Sequence, residues 1–381
     1  MKIISLMALL VFGFNNFAAE TLNTSYLVKF SKMPNDSHAE LNVDVSPDGS
    51  TLAAVGPNYK PNETRSQNIL VMHDLISKKE ICSVWQSKVP TIIKFSPDGS
   101  TVAISEIDHN AVWWEKYGIV FYDVRTCNRL PGVDGFAAWP ESIQFTPNGS
   151  MVLVQTDAAV LVYDVKKGVL IWGFSTKLGH RGTFSPDGKK VLFDEYNRFR
   201  FFDVDSNWTE TLNIKSPYYN FEHHIFTADS GELLYRVTGK DYQNNIYIYD
   251  FSTGTTRLAV RNTNKGFAVD EKLTPDQRFY IMSLHDGASI FEIKSGTEVK
   301  TNPQGDGLGN ISISHDSKLF VSPVLKKNPV GVRVNSDTAT VIDVSTGTVR
   351  SILKENSTIY STFFRPGANQ VVLNLKDEGV V

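Results

Sequence analysis

Apolar residues along this chain fall in short runs that end at proline, aspartate or glycine. The stretch "IIKFSPDGSTVAIS", residues 92–105, shows the unit: a β-prone run, a turn signal, then a second β-prone run. The phrase begins again as "DVSPDGSTLAAV" at Asp44, "QFTPNGSMVLVQ" at Gln144 and "TFSPDGKKVLFD" at Thr183. Weaker copies follow: "FTADSGELLYRV" from Phe226, "KLTPDQRFYIMS" from Lys272, "SISHDSKLFVSP" from Ser312 and "FRPGANQVVLNL" from Phe364. The aspartate or its substitute stands at positions 48, 98, 148, 187, 229, 276, 316 and 367, in steps of 39 to 51 residues. A period of that size belongs to repeated supersecondary units such as propeller blades.

A second phrase lies between the copies: "ILVMHDL", "IVFYDV", "VLVYDV", "RFFDV", "IYIYDF", "SIFEI" and "TVIDV". It leads to Asp74, Asp123, Asp164, Asp203, Asp250, Glu292 and Asp343, with turn glycines at Gly168, Gly254, Gly296 and Gly347. Each unit therefore predicts four strands: a ends at "FSP", b follows the tight turn, c ends at "YD", and d follows the next turn. Helical periodicity of useful length is absent. The expected fold class is all-β, a single propeller of four-stranded blades. Eight blades are favoured, or seven if one degenerate copy is not a blade of its own. The last unit supplies a, b and a "GVV" stub of c, so "SYLVKF", Ser25 to Phe30, is expected as its outer strand. Pairing the two ends in one blade would cover exposed edges.

The turn chemistry explains the repetition. Proline presets φ for the first central position of a type I turn, and Asp or Asn bonds back to local N–H groups. Glycine then takes the left-handed conformation. Asp48–Gly49, Asp98–Gly99, Asn148–Gly149 and Asp187–Gly188 are thus read as structural turns, not as chemistry.

These phrases resemble WD-repeat-like propellers of the "SPDG" type, including YVTN and TolB-like repeats, over nearly the whole chain beyond the N-terminus. The resemblance is generic and implies an architecture that hosts many activities. No Trp-Asp dipeptide is present, and only Gly179–His180 supplies a Gly-His before a copy. The histidine-centred network of true WD repeats is therefore not expected.

Composition sharpens the picture. The 381 residues are 41% hydrophobic and 21% charged, with net charge −3, so the basic footprint of a nucleic-acid binder is missing. Residues 1–19, "MKIISLMALLVFGFNNFAA", have the charged start, apolar run and small-residue end of a secretory leader, leaving 20–381 as the propeller. An uncleaved N-terminal anchor is the alternative. No later segment is long enough to span a membrane, so the expected address is secreted, or periplasmic in a bacterium. Cys82 and Cys127 fall on adjacent units, where they either pair or stay as unpaired thiols. Glycosylation sequons occur at Asn23, Asn35, Asn62, Asn148, Asn207, Asn310 and Asn356.

The b–c and d–a connections are long and irregular, while the a–b and c–d turns are short. Blade two carries "EIDHNAVWWEKYG", and "PGVDGFAAWPES" and "IKSPYYNFEHH" join later strands. One face thus gathers Trp113, Trp114, Tyr117, Phe136, Trp139, Tyr218, Tyr219 and Phe221, a composition suited to binding a protein or carbohydrate. Several of these aromatics could equally anchor their own loops. No G-x-S-x-G elbow, zinc-type Cys/His spacing or H-E-x-x-H helix occurs, and no catalytic residue, metal or cofactor is assigned. His223–His224 are strand neighbours that point to opposite faces, a poor metal pair. A binding or scaffold module is the first reading; a metal-dependent lactonase or hydrolase with a tunnel site is the second.

Overall fold

A computed structural model describes residues 5–13, 23–32, 42–58, 67–108, 110, 117–136, 138–175, 181–195, 198–215, 221–238, 244–261, 268–301, 306–329, 331–368 and 370–376. The chain falls into two compact units. One is His38–Glu222 with Phe226–Glu232, and the other is Met1–Ser37, His223–Ile225 and Leu233–Val381.

The described residues form eight sheets, seven of four strands and one of five. The second sheet shows the pattern with Val89–Phe95, Thr101–Ile107, Tyr117–Asp123 and Arg129–Phe136, each antiparallel to the next. Its middle strands are packed on both faces. Val102, Ile104 and Val120 meet Ala53, Val55, Leu70 and Met72 of the first sheet. Ala103, Ile119 and Phe121 meet Ile143, Phe145, Val152 and Val154 of the third. A strand buried on both sides reads as a continuous apolar run, which is why "TVAISEI" and "YGIVFYD" lack polar alternation. The outermost strands carry the exposure instead, as Lys79–Gln86 does in the first sheet.

The tight turns follow one plan. Ser96 Oγ donates to Asp98 Oδ1 at 2.6 Å, Ser100 N–H donates to the same oxygen at 3.0 Å, and Thr101 N–H donates to Ser96 Oγ at 3.0 Å. Gly99 has φ 70° and donates its N–H to the Ser96 carbonyl. The hydrogen bonds from Ser96 and Ser100 hold the Asp98 carboxyl below its ordinary value. Asp48, Asn148 and Asp187 make equivalent bonds, with Gly49, Gly149 and Gly188 at positive φ. Where glycine is missing, Ser230 (φ 59°), Gln277 (φ 61°) and Ser317 (φ 62°) take the left-handed slot. Two of them make use of it. Ser230 Oγ accepts the N–H of Asp187 at 3.0 Å, and Ser317 Oγ accepts that of Asp276 at 2.9 Å.

Consecutive sheets are also latched at a fixed register of the first strand. Asp44 Oδ2 accepts the N–H of Phe95 (2.9 Å), Gln144 Oε1 that of Phe184 (2.9 Å), and Ser312 Oγ that of Phe364 (2.8 Å). Each latch satisfies an inner-strand donor that would otherwise be buried unpaired.

The eighth sheet joins the two ends of the chain in the order Asn23–Lys32, Ser5–Gly13, Gln370–Lys376, Thr358–Phe364. The segment expected to close it, 25–30, is indeed the outermost strand. The third strand corrects the expectation. It is Ser5–Gly13, paired with Gln370–Lys376 on one side and Asn23–Lys32 on the other, whereas "GVV" (379–381) lies outside the described residues. Nine residues of continuous apolar character fit either a leader's core or a strand buried on both faces, and periodicity does not separate them.

Candidate binding site

At one end of the second sheet, pairing sets four residues in a row: Val89 with Ile107, Ile107 with Tyr117, and Tyr117 with Phe136. Trp139 follows, on the connection into the third sheet, and turns its ring edge-on to Tyr117 at 5.8 Å and 70°. Trp139 is 47% exposed, so about half of this large apolar residue is open to solvent. It is not loose. Its main-chain N–H donates to Asp157 Oδ1 at 3.2 Å, and Asp157 N–H donates to its main-chain carbonyl at 3.2 Å. Asp157 is itself fixed in a turn whose Thr156 Oγ1 accepts the N–H groups of Ala158 and Ala159.

Immediately beyond, the strand Pro140–Phe145 carries a bulge. Pro140 pairs with Thr156 and Ser142 with Gln155, leaving Glu141 outside the ladder. A bulge re-aims the extra side chain. Glu141 is exposed, and its Oε2 accepts a 2.8 Å hydrogen bond from Gln155 Nε2. An exposed Trp139, the Tyr117 ring beside it and an exposed carboxylate two residues along the chain thus fall on one stretch of the protein.

Of the residues expected on this face, Tyr117 and Trp139 are brought together. Phe136 and Phe221 are strand residues. Trp113, Trp114, Tyr218 and Tyr219 lie outside the described residues. Asp157, Glu141 and Gln155 were not foreseen, since neither a hydrogen bond across eighteen residues nor a bulge leaves a periodic trace.

Cys82 and Cys127 form a disulfide between the outer strand of the first sheet and the last turn of the second. Cys127 has φ 58° and stands four residues after Asp123, the slot that Gly168, Gly254, Gly296 and Gly347 fill in other copies.

A buried ionic cluster, also unforeseen, lies in the unit containing the last three sheets. Arg236 Nε and Nη2 donate to Glu271 Oε1 at 2.8 and 2.7 Å, Tyr280 O–H donates to Glu271 Oε2, and His223 Nδ1 stands 3.7 Å from that oxygen. Burial, then the Glu271 charge, pushes the Tyr280 phenol well above its usual value. The groups neutralise one another, which suits a structural pin between inner strands. Asp194 differs: burial pushes its carboxyl up to about 7, against the N–H of Arg181 that donates to it. Among the described residues no three His, Cys, Asp or Glu gather as a metal site, and no helix is long and apolar enough to cross a membrane.

Among solved structures, the chain is similar to the β-propeller domain of Cps50 (Swd1) from Myceliophteria thermophila. The TM-score is 0.55 at 15% identity, over 76% of this chain and 95% of that one. The fold is a β-propeller. The likeness shows an all-β propeller of four-stranded blades and reaches no further than the fold. No protein-family model and no curated protein matches the sequence.

Proposed function

We propose that this propeller is a secreted binding module that takes a protein or glycan ligand on the face built around Trp139 and Tyr117. The observation that carries the reading is the exposed Trp139, its backbone tied to Asp157 by two hydrogen bonds and its ring set against Tyr117. An exposed aromatic on a fixed backbone, with a second ring against it, loses less freedom when a ligand covers it than one on a mobile loop. The propeller fold, with its many connections gathered at sheet ends, is a common platform for such surfaces.

Peptide and glycan arrays probed with the protein and with Trp139→Ala test this. Loss of the retained ligands in the variant, at an unchanged melting temperature, is expected. Retention of every ligand by the variant overturns the reading.

Secretion is supported by the leader-like N-terminus and by the Cys82–Cys127 disulfide, a bond suited to oxidising compartments. The sequon asparagines Asn148, Asn207, Asn310 and Asn356 are all exposed, as glycan attachment requires. Leader removal and use of Ser5–Gly13 as a strand are mutually exclusive. The intact mass of the protein recovered outside the cell decides. A start near residue 20 is expected; a protein that stays in the cell and begins at Met1 overturns the secreted address.

A further inference from the structure

The charges around Trp139 specify a ligand class, an inference that rests on the binding face proposed above. Three carboxylates stand close to the aromatic pair in chain or ladder position. Glu141 is exposed on the bulge two residues beyond the indole. Asp157 is exposed and bound to the Trp139 backbone. Asp108 follows Ile107, the strand partner of Tyr117. None of the three is in an ion pair among the described residues. Of the cations on the strands of the second sheet and beside them, Lys88 Nζ is 3.1 Å and Arg129 Nη2 3.7 Å from the buried Glu106, and Lys94 Nζ is 3.4 Å from Asp44. The three carboxylates at the aromatic edge are therefore not directly ion-paired with any described cation.

We propose that the face binds an arginine side chain presented by an extended peptide. A guanidinium is planar, weakly hydrated and forked. It can lie flat on an exposed indole while its N–H groups reach a carboxylate beside the ring. Trp139 supplies the platform and Glu141 the acceptor. The Glu141 contact with Gln155 uses Oε2 and fixes the carboxylate in place. Asp157 positions the Trp139 backbone and adds to the local field. A neutral sugar would use the same indole and could donate hydroxyl hydrogen bonds to the carboxylates, but would leave their charge unbalanced. An acidic peptide would be repelled by them.

Calorimetric titration with a blocked decapeptide bearing one arginine among glycine and serine tests the assignment, beside the same peptide with lysine or glutamate and a neutral glucose oligosaccharide. The arginine peptide is expected to bind best. Its affinity should fall about tenfold with Trp139→Ala and about threefold to tenfold with Glu141→Gln, and should weaken with added salt. Both side chains are exposed, and matched melting temperatures confirm that the variants fold. If the arginine peptide binds no better than the glutamate peptide, or ignores both substitutions, the arginine assignment is overturned. Should the oligosaccharide or the glutamate peptide alone bind in a Trp139-dependent way, arginine fails and the binding face stands. If no probe loses affinity on Trp139→Ala, both readings fail together.

Discussion

Asp157 holds Trp139 by both backbone polar groups, receiving its N–H on the carboxylate and giving its own N–H to the carbonyl. Only the first bond needs the side chain. Asp157→Ala should therefore leave the fold intact and speed hydrogen exchange of the Trp139 amide at least several-fold, read by mass spectrometry of the 138–145 peptide. Unchanged exchange would mean that the loop is held by other contacts.

The left-handed slot of the tight turn predicts a graded series. Gly99→Ala should cost about 1 kcal/mol, because a Cβ there meets only ordinary contacts at 3.7 and 3.8 Å and the penalty comes from φ alone. Gly188→Ala should cost more, since its Cβ would stand 3.0 Å from Pro147 Cδ. Gln277→Gly runs the other way and should stabilise by up to about 1 kcal/mol. Urea melts of the three variants order them; equal midpoints would refute the geometry.

Asp194 sets a pH dependence. Its carboxyl is pushed up to about 7 from 3.8 by burial. Between those values the folded state keeps a proton that the unfolded chain has released, so this residue's contribution to stability falls as pH rises through that window. Asp194→Asn keeps an acceptor for the Arg181 N–H and removes the titration. Its stability should depend less steeply on pH from about 4 to 7 than that of the parent. Parallel pH profiles would show that the parent carboxyl titrates normally.

The disulfide makes a prediction about its own replacement. Cys127 holds a left-handed slot that glycine fills in four sister turns. The pair Cys82→Ser with Cys127→Gly should therefore be more stable than Cys82→Ser with Cys127→Ser, by about 1 kcal/mol. Both should melt below the oxidised parent, and a thiol reductant should lower the parent's melting temperature alone.

Removing residues 23–32 strips the eighth sheet of its outer strand and leaves an unpaired edge. The deletion is expected to melt at lower temperature and to aggregate, since an unpaired edge recruits other strands. A deletion that melts like the parent removes the closure from the account.

How far the sequence announced all this depended on the physics at each place. The "SPDG" turns were legible because a positive φ admits few residue types, so glycine marks the position. The same slot after the acidic residues went unread at Lys78, Cys127 and Asn207, which adopt it without advertising it. The double-sided burial of Thr101–Ile107 gave strands but not neighbours. The Arg236–Glu271 pair spans thirty-five residues and depends on register between sheets, which no local pattern encodes. At the site, Trp139 was visible as an aromatic in a long connection. What fixes it, and the bulge that turns Glu141 outward, follow from three-dimensional pairing. The N-terminal run illustrates a limit of another kind, because the same apolar residues satisfy two different physical roles.

The serine hydroxyls of Ser230 and Ser317 each capture a peptide group belonging to the preceding copy, at Asp187 and Asp276. A hairpin from this chain is thus not an interchangeable tile. Transplanted to another position, the "HDS" hairpin would carry its strained backbone to a place with no matched donor guaranteed, and the copy left behind would lose its acceptor. Divergence among the repeats is therefore expected to proceed in adjacent pairs, each turn changing in step with the one before it.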